Sequence, residues 1–254
     1  MNNEKRVRYT KSPLLEVIFQ LRFPTILTIS ATAPTAFQEH LRTEFPFYRE
    51  EIEQQNEVTI DINGNSSTIK RRQIKNHTFL STDKRWKVNL TSSFLAISTT
   101  AYTQWEDFTK RCFDIVDKFE EVYAPSFYTR VGLRYVDSIS KSTYGLQEKK
   151  WIDLVQPQVA GALSEEIEGG VKNYLMEAEY MMPNGTFTKS HFELVHINEN
   201  PETSLLIDCD FFHIEMTPTD QTTTVAEILH SNSSNFIRKS ITPLLHEAME
   251  PVEI

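Results

Sequence analysis

The sequence predicts an α+β protein in which two pseudo-repeated halves form one long, curved antiparallel sheet with helices on one face. Short segments rich in β-branched and aromatic residues follow one another in hairpin order, and long amphipathic helices come after them. A segment near the N-terminus is also echoed later in the chain. Antiparallel hairpins with segregated helices are typical of the α+β class. We expect each half to contain a strand, a helix, several antiparallel strands and a second helix.

The echo links residues 13–23, PLLEVIFQLRF, to residues 127–139, FYTRVGLRYVDSI, and the proline just before them. Four identical or similar pairs share one spacing of 112 residues: Pro13 with Pro125, Leu21 with Leu133, Arg22 with Arg134, and Phe23 with Tyr135. A shared spacing indicates an internal duplication. It predicts two halves, residues 1–124 and 125–254, joined as one unit about a pseudo-twofold axis.

The first half begins with a predicted strand over residues 14–23, which ends at Pro24. Pro34 suits the first turn of a short helix. Alternating apolar residues then predict a hairpin over 57–75, with its turn at 63–65. Further short strands are predicted at 77–81, 85–90 and 94–99. The clearest helix covers 105–123, where apolar residues at i, i+3 and i+4 form one stripe.

The second half is predicted to repeat this order after the strand over 127–139. A helix is expected around 151–163, and strands over 171–182 and 186–197 are joined by a turn at 183–185. A further strand is predicted over 205–216. A long final helix over 224–249 is kinked or divided by Thr242-Pro243.

Composition limits the possible classes of protein. A chain of 254 residues can bury a sizeable core, and its net charge of −9 opposes loose attraction to nucleic acids or anionic lipids. No apolar run approaches the ~20 residues that a bilayer span needs, and no apolar segment follows the basic start. Cys112 and Cys209 lie in apolar patterns and are predicted to be buried thiols. We expect a cytoplasmic protein without a membrane partner.

No motif in the chain names a reaction. Only 7 glycines are present, and neither G-x-x-x-x-G-K-[ST] nor G-x-G-x-x-G occurs. The nucleophile motif G-x-S-x-G is absent, as are H-E-x-x-H and C-x-x-C. The sequence therefore predicts no cofactor and no catalytic residue, and it favours a protein that is not an enzyme.

Three arginines are the main candidates for ligand binding. Strand alternation places Arg130 and Arg134 on one face with Gly132, and Arg22 is the equivalent of Arg134 in the echo. Arginines on a strand either pair with carboxylates or line a pocket for an anion. We favour structural pairing, but the anion pocket stays open as the alternative.

Basic residues also cluster on the predicted hairpins of the first half, beside a tryptophan. A basic and aromatic surface of this kind can bind single-stranded nucleic acid or another anion. Charged residues on outer strands also prevent edge-to-edge association of sheets, and the acidic net charge favours that second interpretation. The residues are Lys70, Arg71, Arg72, Lys75, Lys84, Arg85, Trp86 and Lys87.

Two later strands contain possible metal ligands. His191 and Glu193 share one face of their strand, and Asp208 and Asp210 share one face of the next. If the strands pair, these oxygen and nitrogen ligands would suit Mg²⁺ or Mn²⁺. The favoured alternative is that they are solvent-facing residues of an antiparallel sheet.

Several segments together resemble a sporadically distributed bacterial family of unknown function, whose mark is an Arg-x-Gly-Leu-Arg-Tyr strand after a long helix. That motif is Arg130–Tyr135 here, and the segments at 12–24, 105–125, 205–212 and 236–251 add to the likeness. The family usually has Asn two residues after the Tyr, where this chain has Asp137. Its patchy distribution implies an accessory or phage-defence role, and it supplies no catalytic residues.

Three functions follow as expectations. The first is a non-enzymatic interaction, sensor or adaptor protein of a bacterial accessory or antiviral defence system, with a protein partner or a homo-oligomeric state. The second is a phosphate-binding protein or Mg²⁺-dependent enzyme that uses the concave side of the sheet. The third is a nucleic-acid binder, which the net charge disfavours.

Overall fold

The computed structural model describes residues 7–60, 67–163, 170–196 and 202–253, with side chains omitted at 53–60 and 67–72. The predicted turn at 63–65 and the side chains of Lys70, Arg71 and Arg72 lie outside the described residues. Within the described ranges the chain forms eleven strands and seven α-helices. No helix among them is both long enough and apolar enough to cross a membrane.

The strands are β1 (Val7–Tyr9), β2 (Leu14–Arg22), β3 (Phe47–Ile60), β4 (Ser67–Leu80), β5 (Trp86–Leu90), β6 (Phe94–Thr99), β7 (Arg130–Ile139), β8 (Leu175–Met182), β9 (Thr186–His196), β10 (Thr203–His213) and β11 (Pro251–Glu253). The helices are α1 (Leu27–Ala31), α2 (Thr35–Leu41), α3 (Trp105–Tyr123), α4 (Trp151–Leu154), α5 (Pro157–Ala160), α6 (Thr222–Arg238) and α7 (Pro243–Ala248).

Nine of these strands form one antiparallel sheet in the order β3-β4-β5-β6-β2-β7-β10-β9-β8. The strands before residue 125 occupy one side of the sheet and the later ones the other. The two sides join where β2 pairs with β7. The α+β class and the large antiparallel sheet are therefore confirmed, while the internal duplication stays a prediction.

The long helices pack on one face of the sheet. Phe19 on β2 contacts Phe113 on α3, with ring centroids 5.6 Å apart, and Phe211 on β10 contacts Phe236 on α6 at 5.7 Å. Trp86 on β5 stacks on Phe108 of α3. The strand registers align these residues on the same side. Residues of the opposite parity face away from α3 and α6, and we call that side the open face.

One predicted helix is wrong in extent, and another is divided at Thr242-Pro243 as predicted. The single helix expected over 151–163 is two short helices, α4 and α5, because Val155 leaves the helix to bridge to Ile241 and Pro157 starts a new turn. The long final helix is divided into α6 and α7. The Thr242 hydroxyl caps α7 by accepting a hydrogen bond from Leu245 N.

Two strand predictions also change. The strand expected from residue 171 begins at Leu175. Residues 77–80 are not a separate strand but the end of β4, which pairs with β3 along its whole length. The β3–β4 hairpin is therefore longer than predicted, and the expected pairing of residues 77–80 with β5 is also present.

A small two-stranded ribbon was not predicted. β1 pairs with β11, so that Val7 lies opposite Glu253. The Tyr9 hydroxyl hydrogen-bonds to Nδ1 of His246 at 2.8 Å, and Lys11 pairs with Glu250 at 2.9 Å. Three-residue strands so far apart in sequence give no periodic signal, which explains why the pattern missed them.

A candidate binding site on the open face of the sheet

Strand register brings seven of the predicted site residues together on the open face. The central strands β2, β7, β10 and β9 lie side by side, and their open-face residues form cross-strand rows. We call this set the charged strip; it consists of Arg22, Arg130, Arg134, His191, Glu193, Asp208 and Asp210. The arginines therefore lie opposite the helices, not beneath them.

Arg134 is held by a carboxylate on the neighbouring strand. Its Nε donates to Oδ1 of Asp208 at 2.6 Å, and its Nη2 donates to the other carboxylate oxygen. Such a two-point pair fixes the plane of the guanidinium. The hydrogen bonds that Arg134 donates to Asp208 raise the pKa of Arg134. Arg134 is thus neutralised within the chain, although its side chain is about half exposed.

Arg130 is the more buried arginine, with its side chain 12% exposed. Its Nη2 donates to Asp210 on β10 at 2.6 Å, and its Nη1 donates to Oε1 of Gln20 on β2 at 3.1 Å. The guanidinium also lies over the ring of Phe212, 4.7 Å from its centroid. Arg130 on β7 therefore connects β2, β7 and β10 through its hydrogen bonds to Gln20 and Asp210.

Arg22 lies directly opposite Arg130 in the pairing of β2 with β7. Its Nε donates to Oε1 of Gln20 at 3.1 Å, the same oxygen that Arg130 uses. Partial burial and the positive charge of Arg130 lower the pKa of Arg22. No described carboxylate forms an ion pair with Arg22, which is exposed.

His191 lies between two glutamates at the β8 side of the strip. Its Nδ1 is 3.2 Å from Glu177 and its Nε2 is 3.0 Å from Glu193. Burial acts to lower the pKa of His191, but the hydrogen bonds to Glu193 and Glu177 outweigh it, so the pKa is raised. Because carboxylates only accept, both ring nitrogens donate when the ring is protonated.

The metal hypothesis gains no support from this geometry. Asp208 and Asp210 are hydrogen-bonded to arginines, and both nitrogens of His191 face glutamates. Within the described ranges, no three His, Cys, Asp or Glu residues are arranged to hold a metal ion. The four candidate ligands instead take part in ion pairs across the open face.

The basic and aromatic residues of the first half do not form one surface in the part of the chain described. Trp86 lies on the helix side, stacked against Phe108 and 4.5 Å from the Arg111 guanidinium carbon. Lys75 is also on that side and lies 3.8 Å from Glu50. The Arg85 guanidinium donates to the Thr100 carbonyl. The side chains of Arg71 and Arg72 lie outside the described residues.

A cavity of about 220 Å³ opens beside the middle of β4. It is lined by Ser30, Ile52, Gln73, Ile74, Lys75 and Ser92. Lys75 is the only residue of the predicted basic set in this lining, and none of the charged strip takes part. The cavity and the strip are therefore separate features.

Sequence reasoning missed Gln20, Phe212 and Asp137. Nothing in the pattern singled out Gln20 or Phe212, because their role depends on the register between strands. Asp137 could have been found, since it shares its parity with the core-facing residues of β7. It is 7% exposed, and burial together with the charge of Asp208 raises its pKa to about 7.

Comparison with known proteins does not assign the chain to a family. No family model matches the chain, and no curated protein matches it. The likeness to the bacterial family marked by Arg130–Tyr135 therefore stays a resemblance.

Proposed function

We propose that the protein is a non-enzymatic interaction, sensor or adaptor component of a bacterial accessory or phage-defence system, and that it binds a partner protein through the open face. The observation that supports this is the charged strip. Hydrogen bonds to residues of neighbouring strands hold Arg130, Arg134 and His191 of the strip in place. A rigid array of charges loses little entropy when a partner binds.

The arrangement of the charges suits recognition of a surface. Positive and negative side chains are placed across the central strands, from Arg22 on β2 to Glu193 on β9. Complementary charges on a partner would steer the encounter and fix its orientation, while the wrong partner would meet like charges. A broad sheet face can also supply the roughly 800 Å² per partner that a standard protein interface buries.

The biological setting of the proposal comes from the sequence. The resemblance to a patchily distributed bacterial family motivates the accessory or antiviral role, and the composition motivates a cytoplasmic location. A homo-oligomeric state is part of the same proposal. Size-exclusion chromatography with light scattering measures it directly: a strictly monomeric protein would remove the oligomer from the proposal.

The two alternative functions, a phosphate-binding protein or Mg²⁺-dependent enzyme and a nucleic-acid binder, have less support among the described contacts. The aspartates that a Mg²⁺-dependent reaction needs are engaged by Arg130 and Arg134. Trp86, which would stack on a nucleic-acid base, is packed against Phe108 and Arg111. Neither alternative is favoured by a specific contact among the described residues.

Site-specific photo-crosslinking in a bacterial host tests the proposed surface. One variant carries a photoreactive amino acid at Glu179, an exposed open-face residue opposite Lys189 on the β8–β9 pair. The matched control carries it at Lys110, an exposed residue of α3 on the other side of the molecule.

We expect a defined protein adduct from position 179 and not from position 110. The charge reversal Lys189→Glu should reduce that adduct, because Lys189 lies among the charges of the open face. Equal adducts from both positions, or an adduct from position 110 alone, would contradict binding through the open face.

A further inference from the structure

Arg22 differs from the other basic residues that lie within the described strands on the open face. Each of the others has a carboxylate within 4.0 Å: Arg49 has Glu51, Lys87 has Glu16, Arg130 has Asp210, Arg134 has Asp208, Lys189 has Glu177, and His191 has Glu177 and Glu193. Arg22 has only the neutral amide oxygen of Gln20. Among these described basic residues, Arg22 alone has no carboxylate partner.

The positive charge of Arg22, which has no carboxylate partner among the described residues, lies next to a second arginine. Arg22 and Arg130 are direct cross-strand neighbours and donate to the same oxygen of Gln20. Like charges opposite one another in a sheet are unfavourable. One carboxylate, Asp210, serves the two guanidinium groups. The group of three side chains thus carries one net positive charge.

Arg130 cannot easily move away from Arg22. Its guanidinium is bonded on both sides, lies over Phe212, and fills the space beside Gly132. The Nε of Arg22 is engaged by Gln20, whereas its two Nη atoms make no hydrogen bond to a described residue. The end of the Arg22 guanidinium is therefore available to an incoming acceptor.

We infer that Arg22 and Arg130, with Gln20 between them, form an anion subsite that receives a carboxylate side chain of the protein bound on the open face. The inference deepens the proposed function and rests on it. A carboxylate matches the two parallel N–H groups at the end of a guanidinium. Its single negative charge balances the one net positive charge, while a phosphate dianion would add a second negative charge beside Asp210.

Titration of the purified protein with two probes tests the subsite without the partner. One probe is an oligoglutamate peptide and the other is inorganic phosphate. Nitrogen-15 spectra of the arginine side chains report on Arg22 Nε directly. The test variant is Arg22→Gln, and the control is Arg42→Gln, which makes the same change of charge at an exposed residue of the α2 region that pairs with Glu39.

We expect the peptide to shift the Arg22 resonance in a saturable way that weakens with added salt. Arg22→Gln should lower the peptide affinity by about tenfold or more, as expected for the loss of a charge-assisted pair. Arg42→Gln should leave it unchanged, and phosphate should bind more weakly than the peptide. Thermal unfolding of both variants checks that they remain folded.

Three results would overturn the inference. They are the absence of a saturable shift at Arg22, equal losses in the two variants, and tighter binding of phosphate than of peptide. Failure of this titration with intact crosslinking at Glu179 removes the subsite alone. Failure of the crosslinking with an intact titration removes the partner-binding function and leaves an anion site.

Discussion

The guanidinium of Arg130 fills the space that Gly132 leaves beside it. A Cβ atom at residue 132 would lie 2.1 Å from Nη1 of Arg130 and 2.9 Å from its guanidinium carbon. Both residues face the open side of β7, two positions apart. The absence of a side chain at 132 is thus what allows Arg130 to lie across the strand and reach Gln20 and Asp210.

Replacing this glycine should release Arg130. In Gly132→Ala we expect the guanidinium to be displaced from Asp210 and Gln20, with a loss of about 1–3 kcal/mol in the free energy of unfolding. Chemical denaturation measures the loss. Arg130→Met removes the same contacts, so the double variant should be much less destabilised than the sum of the two single variants. Additive losses would show that the two residues act independently.

Asp137 is a buried carboxyl group on the core-facing side of β7, opposite Ile207 on β10 and Leu14 on β2. Its pKa is raised to about 7, first by burial and then by the charge of Asp208. The folded protein therefore holds a proton at this site over a pH range in which the unfolded chain has released it. Stability should fall as pH rises from about 4 to about 7, and then level off.

The variant Asp137→Asn tests that dependence, because an amide cannot ionise. We expect it to be more stable than the parent protein at pH 8, by up to about 4 kcal/mol. The decline in stability between pH 4 and 7 should also become shallower. Urea denaturation across this pH range gives both quantities. A variant that is less stable at pH 8, or that keeps the full decline, would contradict this account of Asp137.

His77 connects the long hairpin to the α1 segment. It is fully buried, its Nε2 lies 3.0 Å from the Ile29 carbonyl, and its Nδ1 lies 3.0 Å from the Tyr48 hydroxyl. Because a carbonyl only accepts, Nε2 donates and Nδ1 accepts from Tyr48 in the neutral ring. The imidazole therefore satisfies two groups on separate elements.

We expect His77→Phe to cost about 2–4 kcal/mol, since it leaves a buried carbonyl without its donor and loses a second hydrogen bond. Tyr48→Phe removes only the hydroxyl and should cost about 1 kcal/mol. Thermal or chemical unfolding compares the two. A His77→Phe loss no larger than that of Tyr48→Phe would mean that the bond to Ile29 contributes nothing.

Thr242 fixes the break between α6 and α7. Its hydroxyl accepts from Leu245 N at the start of α7 and donates to the Asp153 carbonyl of α4 at 2.7 Å. Thr242→Ala should lower the free energy of unfolding by about 1 kcal/mol, the usual effect of losing an N-cap. Thr242→Ser keeps the hydroxyl and is the matched control. A similar loss of stability in both variants would mean that the Thr242 methyl group, and not its hydroxyl, accounts for the effect.

The sequence predicted well those elements whose pattern is local. The stripe of apolar residues over 105–123 matches α3, and Pro125 follows its left-handed C-cap at Ala124. The prediction of a single helix over 151–163 was wrong because its apolar residues are buried by contacts with different parts of the chain. Val155, for instance, bridges to Ile241, far along the chain.

The charged strip shows the same limit. Alternation correctly placed Arg130 and Arg134 on one face, since a strand has a period of two. Asp208 and Asp210 were considered as metal ligands because the sequence does not reveal that β10 pairs with β7. Only that pairing brings the aspartates within reach of the arginines.

The seam between β2 and β7 has a consequence for fragments of the protein. β2 has β6 on one side and β7 on the other, and it meets β7 from Leu14 to Arg22. A fragment containing only the first half would expose this edge of β2, with its unpaired backbone groups, and a second-half fragment would expose β7. Bare central edges recruit other strands. Each fragment should therefore self-associate when alone, whereas the two mixed together should recombine into the parent sheet.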